Sequence, residues 1–529
     1  MFEEVAARQP AHAAVLYRGE TISYGELRSA AAGVARSLLA LGVKRGDRVG
    51  ALLSNQPEWV MMALGAAYVG AVFVPFNTWY KRTEIGWLLR HCGVSCFVFA
   101  DRFLKHDYAA TMRELLPGLA QCAQGEFASA EYPLLRQLIV LGGPLPGAFT
   151  WNEFLALGQA TTHGQVYETL AAVRPKDPAL ILYTSGSTAD PKGVLLAHGG
   201  VVSNGWDMGV RRRVLAEDRV WLGTPLFYGL GATNALPLTL THGATLVLQG
   251  AFEAGAAIDV IERTASTVYY GTGNISRAIL DHPDYRQARI GSLQKGNAGT
   301  MTEYKRLTIV EMGMAQACAA YGLTESYGNA TVSEADDPVD VRLNTSGRPL
   351  PGVRVTIVDP GSGRPLSVGE VGLILLRGHT TPGYFNNEEE NARAFRPDGA
   401  FDTGDLGSLD AEGRLVFHAR LKEVIKSGGV NVSPMEVEQL LVQHPHIRDA
   451  HVVGIPHATR GQQVVAFVDA DSGISEQDVR DFIQERAASF KVPQHVLFRS
   501  TGQFPRLASG KVAKVRLAEE AVNELRSSS

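Results

Sequence analysis

The chain has 529 residues, 45% of them hydrophobic, and a formal net charge of -4. That is too long for one ordinary core and points to roughly three units of ~150 residues each. The near-neutral balance lacks the basic surplus of a nucleic-acid binder. The four cysteines, Cys92, Cys96, Cys122 and Cys318, are too scattered for a disulfide framework and fit a reducing cytoplasm. His91-Cys92 with Cys96 has half the spacing of a metal site, but no further ligands stand nearby, which favours buried thiols. The start, Met1-Phe2-Glu3-Glu4, has no basic region and no signal-peptide pattern. Arginine outnumbers lysine, as expected of a GC-rich bacterial source.

In chain order, Ser23-Tyr24-Gly25-Glu26 has the form of a capping box. Leu27, Val34, Leu38 and Leu41 follow at helical spacing, and Gly42 suits the position after the helix. Val49–Leu53 reads as a strand, Pro57-Glu58 opens a helix, and Val72–Val74 is a second strand. The uncharged run from Trp59 to Tyr80 is long enough to span a bilayer. Gly65, Gly70, Pro75 and Asn77 interrupt it, so helix, turn and buried strand explain it better. This strand–helix–strand rhythm recurs around Leu180–Leu182, Trp221–Leu222, Thr245–Leu248 and Thr267–Tyr270, and predicts a parallel sheet. From about Val353 the texture becomes β-rich, over Val353–Val358 and Val371–Leu376. After Arg420 comes an α+β module of roughly 100 residues. Its expected parts are a helix over Val437–Val442, strands over Val452–Ile455 and Val464–Val468, and a helix capped by Ser475 that carries Val479, Phe482 and Ile483.

Five clusters carry chemistry. Directly after the apolar strand Ala179–Leu182, the run from Tyr183 to Gly193 combines Thr184, Ser185, Gly186, Ser187 and Thr188 with Lys192. Such a loop aims backbone N–H groups, hydroxyls and a cation at one polyanion, yet it is not a Walker A loop. Tyr321-Gly322-Leu323-Thr324-Glu325 offers an aromatic face for a base and a carboxylate suited to magnesium. Thr403-Gly404-Asp405-Leu406 is expected to present a carboxylate from a turn to a ribose diol. Arg420–Gly429 is charged and glycine-containing at the change of texture, as a hinge would be. Pro505–Lys511 sets one lysine on a glycine turn. Taken singly, the last four are equally explained by core packing, common turns, a solvated linker and an exposed lysine.

Together, in this order, the clusters resemble the adenylate-forming superfamily of acyl-CoA synthetases, luciferases and adenylation domains. The resemblance runs from Ser23 through Asn55-Gln56-Pro57-Glu58 and Pro75-Phe76-Asn77 to Lys511. It implies an α/β fold with a large N-terminal domain over 1–419, made of two α/β subdomains and a β-barrel subdomain over about 345–419. A small mobile α+β lid over 420–529 would turn on a hinge at Lys422. It also implies an AMP-forming acid–thiol ligase using ATP, Mg2+ and CoA. Thr184 to Thr188 and Lys192 would grip the β- and γ-phosphates. Tyr321 would stack near adenine, with Gly322 beside it and Gly296, Asn297 and Ala298 on another side. Thr324 would touch the α-phosphate and Glu325 would hold magnesium. Asp405 and Arg420 would bind ribose. Lys511 would bridge carboxylate and α-phosphate, supplying charge only when the site is closed and dry. Lys426, Ser427, Gly428 and Gly429 would then meet the pantetheine arm, and Arg460 the CoA nucleotide. Trp206, Phe227, Tyr228, Tyr270, Asn297 and Tyr327 would wall the acyl pocket.

The chain departs from the pattern at several places. Ala189 replaces a glycine of the phosphate loop, where a Cβ disfavours positive φ, and Asp190 adds a negative charge. Tyr228 replaces a frequent histidine, and Gly296–Gly299 is looser than usual. Three alternatives follow: an enzyme that only thioesterifies acyl-AMP made by a partner enzyme, one that loads a carrier protein, and a non-catalytic nucleotide sensor. No lone cation stands out to read a second carboxylate. Gly229, Gly231, Gly271 and Gly273 either leave room for a wide acid or serve packing. The expected substrate is a medium to bulky, largely apolar carboxylic acid.

Overall fold

The computed structural model describes residues 1–184, 191–427, 430–457, 459, 461–507 and 512–527. The chain divides into two compact units, residues 1–354 with 377–399, and residues 355–376 with 400–529. The β-rich stretch expected over about 345–419 is shared between them, and Lys422 lies inside the second.

The first unit holds two large sheets. In one, the strands Val72–Pro75, Arg48–Leu52, Cys96–Ala100, Gln137–Leu141 and Phe149–Thr150 run parallel. Pro178–Thr184 joins them in parallel, Lys192–Ala197 returns antiparallel to it, and Gly383–Tyr384 closes that edge. In the other, Ala13–Tyr17, Thr245–Leu248, Arg219–Leu222, Val268–Tyr270, Lys295–Gly299 and Gln316–Tyr321 are parallel neighbours. This is the α/β order that the recurring rhythm predicts. Trp221, Val247, Ile258, Ile261, Tyr269 and Met312 are among the side chains that fill one face of it.

Local signals explain the helices. Ser23 caps the helix Tyr24–Ala40 with both arms of a capping box, Leu27, Val34 and Leu38 are fully buried, and Gly42 follows with φ +78°. The uncharged run resolves into the helix Pro57–Val69, a left-handed Gly70 at φ +70°, and the buried strand Val72–Pro75. Gly65 meets the Ser23-capped helix so closely that a Cβ there would lie 2.4 Å from Val34 Cγ1. Among the described residues, no helix is long and apolar enough to cross a membrane. Cys92, Cys96 and Cys318 are buried, and burial pushes their thiols up to about 12, 12 and 11.

In the second unit, Phe401–Leu409 pairs antiparallel with Leu415–Arg420 and with Gly372–Gly378. The C-terminal sheet orders Val430–Val432, Ile425–Ser427, Gly461–Ala470 and Ile447–His457, and His495–Phe498 lies parallel to Gly461–Ala470. Strand alternation splits its apolar residues between two faces. Val452, Val464, Ala466 and Val468 pack with Val437, Leu441, Val479 and Ile483. Val453, Ile455, Val465 and Phe467 pack instead with Leu517 and Ala521 of the helix Lys514–Ser527.

Candidate active site

The hairpin Pro178–Thr184/Lys192–Ala197 sets Thr184 opposite Lys192 in register. These two residues therefore flank the expected phosphate-loop residues Ser185, Gly186, Ser187, Thr188, Ala189 and Asp190, which lie outside the described residues. The Lys192 ammonium pairs with Glu390 and stands 5.7 Å over the Tyr384 ring. Glu390 also pairs with Arg393, and its N–H donates to Asn387, the cap of its helix. Tyr384, registered against Val194 of the same hairpin, donates its hydroxyl to Glu325 Oε1 at 2.7 Å. Burial, and then the Glu325 charge, push that phenol well above the usual tyrosine range, so it stays a donor.

Glu325 sits in the tight turn Thr324–Ser326. The turn is held by the Leu323 N–H on Ser326 Oγ and by Tyr327 in the left-handed region at φ +58°. The Thr381 N–H donates to the Glu325 carbonyl at 2.6 Å. Thr324 lies beside the Pro225–Gly229 segment, since a Cβ on Gly229 would stand 3.8 Å from Thr324 Oγ1. Asn55 pins that segment from below: its side chain donates to the Thr224 carbonyl at 2.9 Å and accepts from the Leu226 N–H at 2.6 Å. Asn55 of the Asn-Gln-Pro-Glu motif thus fixes the start of that segment.

Tyr321 ends its strand and is 3% exposed, paired through backbone with Thr331. Gly322 has no room for a side chain, because a Cβ would lie 2.4 Å from the Gly328 carbonyl oxygen. Gly296, Asn297 and Ala298 lie on the neighbouring strand. Gly296 adopts φ +128° against the Tyr269 carbonyl oxygen, which only glycine permits.

Not every expected pocket residue lines one space. Phe227 and Tyr228 form an aromatic cluster with Trp79, and Asn77 donates to the Tyr228 hydroxyl at 3.1 Å. Trp206 is 50% exposed and stacks on His242. Tyr327 is buried against Gly200, with its hydroxyl accepting from the Ala197 N–H. Tyr270 is fully buried beneath Arg212. The glycines are resolved in favour of packing. A Cβ on Gly231, Gly271 or Gly273 would lie 2.6, 2.1 or 1.9 Å from Pro225, Tyr269 or Tyr304, and only Gly229 meets ordinary contact distances.

In the second unit Thr403–Leu406 is not a turn. It lies within the strand Phe401–Leu409 as a bulge, since Leu406 pairs with Leu373 while Asp402 pairs with Leu375. Gly404 takes φ +67°, and the Thr403 hydroxyl donates to the Ile374 carbonyl. Cross-strand pairing overrides the turn propensity of Thr-Gly-Asp. The bulge brings Asp405, 3% exposed, opposite Arg420, with Arg420 Nε 3.7 Å from Asp405 Oδ1. Lys422 falls in the short 3-10 segment Leu421–Glu423, and Lys426 is exposed on the strand Ile425–Ser427. Gly428, Gly429, Arg460 and Lys511 lie outside the described residues. Arg506 and Val512, which flank the lysine segment, pair across an isolated bridge.

A family model described as AMP-binding enzyme matches residues 2–385, and a second, the AMP-binding enzyme C-terminal domain, matches 436–511. The chain belongs to the AMP-binding enzyme family. Two relatives of this adenylate-forming chain span nearly its whole length. One is the 3-[(3aS,4S,7aS)-7a-methyl-1,5-dioxo-octahydro-1H-inden-4-yl]propanoyl:CoA ligase of Mycobacterium tuberculosis, 33% identical over 98% of this chain and 97% of that protein. The other is YngI of Bacillus subtilis, 30% identical over 99% and 96%. The ATP-bound crystal structure of MatB from Rhodopseudomonas palustris superposes with a TM-score of 0.82 at 26% identity, covering 98% of each chain.

Sequence patterns alone give no role to Asn77, Trp79, Arg212, Tyr384 or Glu390. Asn77 stands within the Pro-Phe-Asn motif, and Tyr384 follows a glycine before an asparagine pair. Arg212 is hidden in a run of three arginines that reads as surface.

Proposed function

We propose that this AMP-forming acid–thiol ligase joins a carboxylic acid to coenzyme A in two half-reactions. In the first, the carboxylate attacks the α-phosphorus of ATP, forming an acyl–phosphate bond and expelling pyrophosphate. In the second, the CoA thiol gives up its proton, its sulfur attacks the acyl carbon, and AMP leaves. The observation that carries this reading is the match to AMP-binding enzymes along nearly the entire chain. The first step brings two anions together, so cations and donors must offset their repulsion.

Thr184, Ser185, Gly186, Ser187, Thr188 and Lys192 hold the β- and γ-phosphates, with Lys192 exchanging Glu390 for phosphate oxygens. Thr324 donates to the α-phosphate, Asp405 accepts from the ribose diol, and Arg420 steadies Asp405. Tyr321, Gly322, Gly296, Asn297 and Ala298 border the adenine. Lys511 offsets charge between carboxylate and phosphate, Lys422 is the hinge, and Lys426, Gly428 and Gly429 meet the CoA arm. Glu325 fits Mg2+: Tyr384 occupies Oε1, and among the described residues no hydrogen bond engages Oε2. Glu325 would hold the ion through one carboxylate oxygen, and the ion would supply charge that offsets that of the phosphates.

The acid is medium to bulky and largely apolar. The Trp79, Phe227 and Tyr228 cluster supports this, as does the fused-ring propanoyl group in the name of the mycobacterial relative. The test is ATP–pyrophosphate exchange alongside mass-spectrometric detection of acyl-CoA over a panel of acids. Acids that drive exchange are expected to yield acyl-CoA. Turnover of synthetic acyl-AMP without exchange would instead indicate thioesterification alone. Acceptance of only a holo-carrier would replace CoA as the acceptor.

A further inference from the structure

Three arginines stand in a row where the helix His198–Arg211 ends, and their surroundings differ. Arg211 pairs with Glu334 and Arg213 with Asp336. Arg212 between them is fully buried, and among the described residues no carboxylate pairs with it. Its Nη1 donates to the Tyr270 hydroxyl and lies 3.7 Å from Met208 Sδ, and its Nη2 donates to Asn297 Oδ1 at 3.4 Å. Its Nε is buried with no hydrogen-bond partner, and its Cζ stands 5.1 Å over the Tyr270 ring.

A guanidinium has five N–H donors and a charge that no titration removes. Here it is taken out of water against neutral acceptors only, with the Nε–H and one Nη2–H unused. An uncompensated buried cation is costly, and the cost falls when an anionic or strongly accepting oxygen joins it. The location fits such a visitor. Tyr270 ends the strand Val268–Tyr270, and Asn297 lies on its parallel neighbour, where Tyr269 is registered against Gly296. Open α/β sheets take ligands at the carboxyl ends of their strands. The family resemblance implies an acyl pocket that includes both residues; in the structure Tyr270 is fully buried and Asn297 is 8% exposed.

Resting on the ligase reading, we propose that Arg212, acting with Tyr270 and Asn297, selects acids that carry an accepting oxygen remote from the activated carboxyl. That oxygen belongs to a ketone or to a second carboxylate. The acid is then apolar along its body and polar at its far end, and Arg212 is a specificity residue rather than a catalytic one.

Two matched pairs test this: 3-cyclohexylpropanoate against 3-(4-oxocyclohexyl)propanoate, and octanoate against octanedioate. Hydrogen bonds to a charged group support a preference of ~10-fold or more in kcat/KM for the oxygen-bearing member of one pair. Which pair shows it separates ketone from carboxylate. Arg212→Met is expected to bring that ratio to within about threefold, and Arg212→Lys to keep its direction. A wild-type ratio near one in both pairs overturns the assignment, as does a ratio that Arg212→Met leaves unchanged. Should Arg212→Met not fold, Tyr270→Phe keeps the ring and removes the hydroxyl, and an unchanged preference there counts against the proposal. Thermal unfolding with each acid, without ATP or CoA, reads binding apart from turnover. A Tm rise confined to the oxygenated acid, with no acyl-CoA from any acid, overturns the ligase reading and keeps the Arg212 assignment. Acyl-CoA formed from both members of each pair without preference does the reverse, and neither binding nor product overturns both.

Discussion

Tyr384 and Glu325 illustrate how a side chain acquires a role from its partner. The Tyr384 hydroxyl fixes one oxygen of the Glu325 carboxylate, and on the proposed reading the other would face a cation. Groups that orient a metal-binding carboxylate typically matter 10–100-fold. Tyr384→Phe should therefore raise the Mg2+ concentration for half-maximal ATP–pyrophosphate exchange by ~10-fold, and an unchanged Mg2+ dependence would remove this role. Asp405 is paired with Arg420 across the strand bulge. Asp405→Asn should lower kcat/KM for ATP by ~10- to 100-fold, the worth of hydrogen bonds to a charged group, while the KM for the acid changes little. An ATP KM that does not move would exclude the ribose contact. Neither pairing is written in the motifs. Glu325 and Asp405 are legible in the sequence, but the residue that completes each is 59 or 15 positions away along the chain.

Among the elements, helices with local signals are legible in sequence and long-range pairings are not. Ser23 and Ser475 both cap helices with full capping boxes, because a cap needs only residues three apart. The Thr403–Leu406 segment reads as a turn yet forms a strand bulge, because its conformation is set by Leu373, Leu375 and Arg420 on neighbouring strands. The helix Thr302–Arg306 holds another feature invisible to pattern. Lys305 is 3% exposed and donates to the carbonyls of Leu343 and Thr345 at 3.3 and 2.8 Å. Burial lowers its pKa from 10.5 to about 7. Between those values the unfolded chain holds a proton that the folded chain has released, so the unfolding free energy should rise with pH across that window. Below about 7 both states are protonated and this contribution is constant. Urea unfolding from pH 7 upward should thus show the stability of the wild type gaining on Lys305→Met as pH increases. A difference that stays flat would mean Lys305 remains charged when buried.

At the scale of the whole molecule, the proposed alternation of half-reactions rests on Lys422. It lies in a 3-10 segment, whose φ range overlaps the value that proline fixes. Lys422→Pro should therefore fold, yet restrict rotation at that residue. The two half-reactions are expected to suffer unequally, one by ~100-fold or more and the other far less. Exchange and acyl-AMP thioesterification measured on the same preparation would check this, and equal losses would move the hinge elsewhere. The sequence by itself determined the family, the α/β class and the order of the chemical motifs, because phosphate-binding loops, caps and strand–helix rhythm are local patterns. Only the tertiary structure decided that Trp206 stands half outside, that Gly271 and Gly273 are filled by Tyr269 and Tyr304, and that Tyr384 reaches Glu325. It also decided that Arg212 alone of three arginines turns inward without a carboxylate among the described residues. Burial and pairing are set by what the rest of the chain brings near, and one-dimensional spacing holds no record of that.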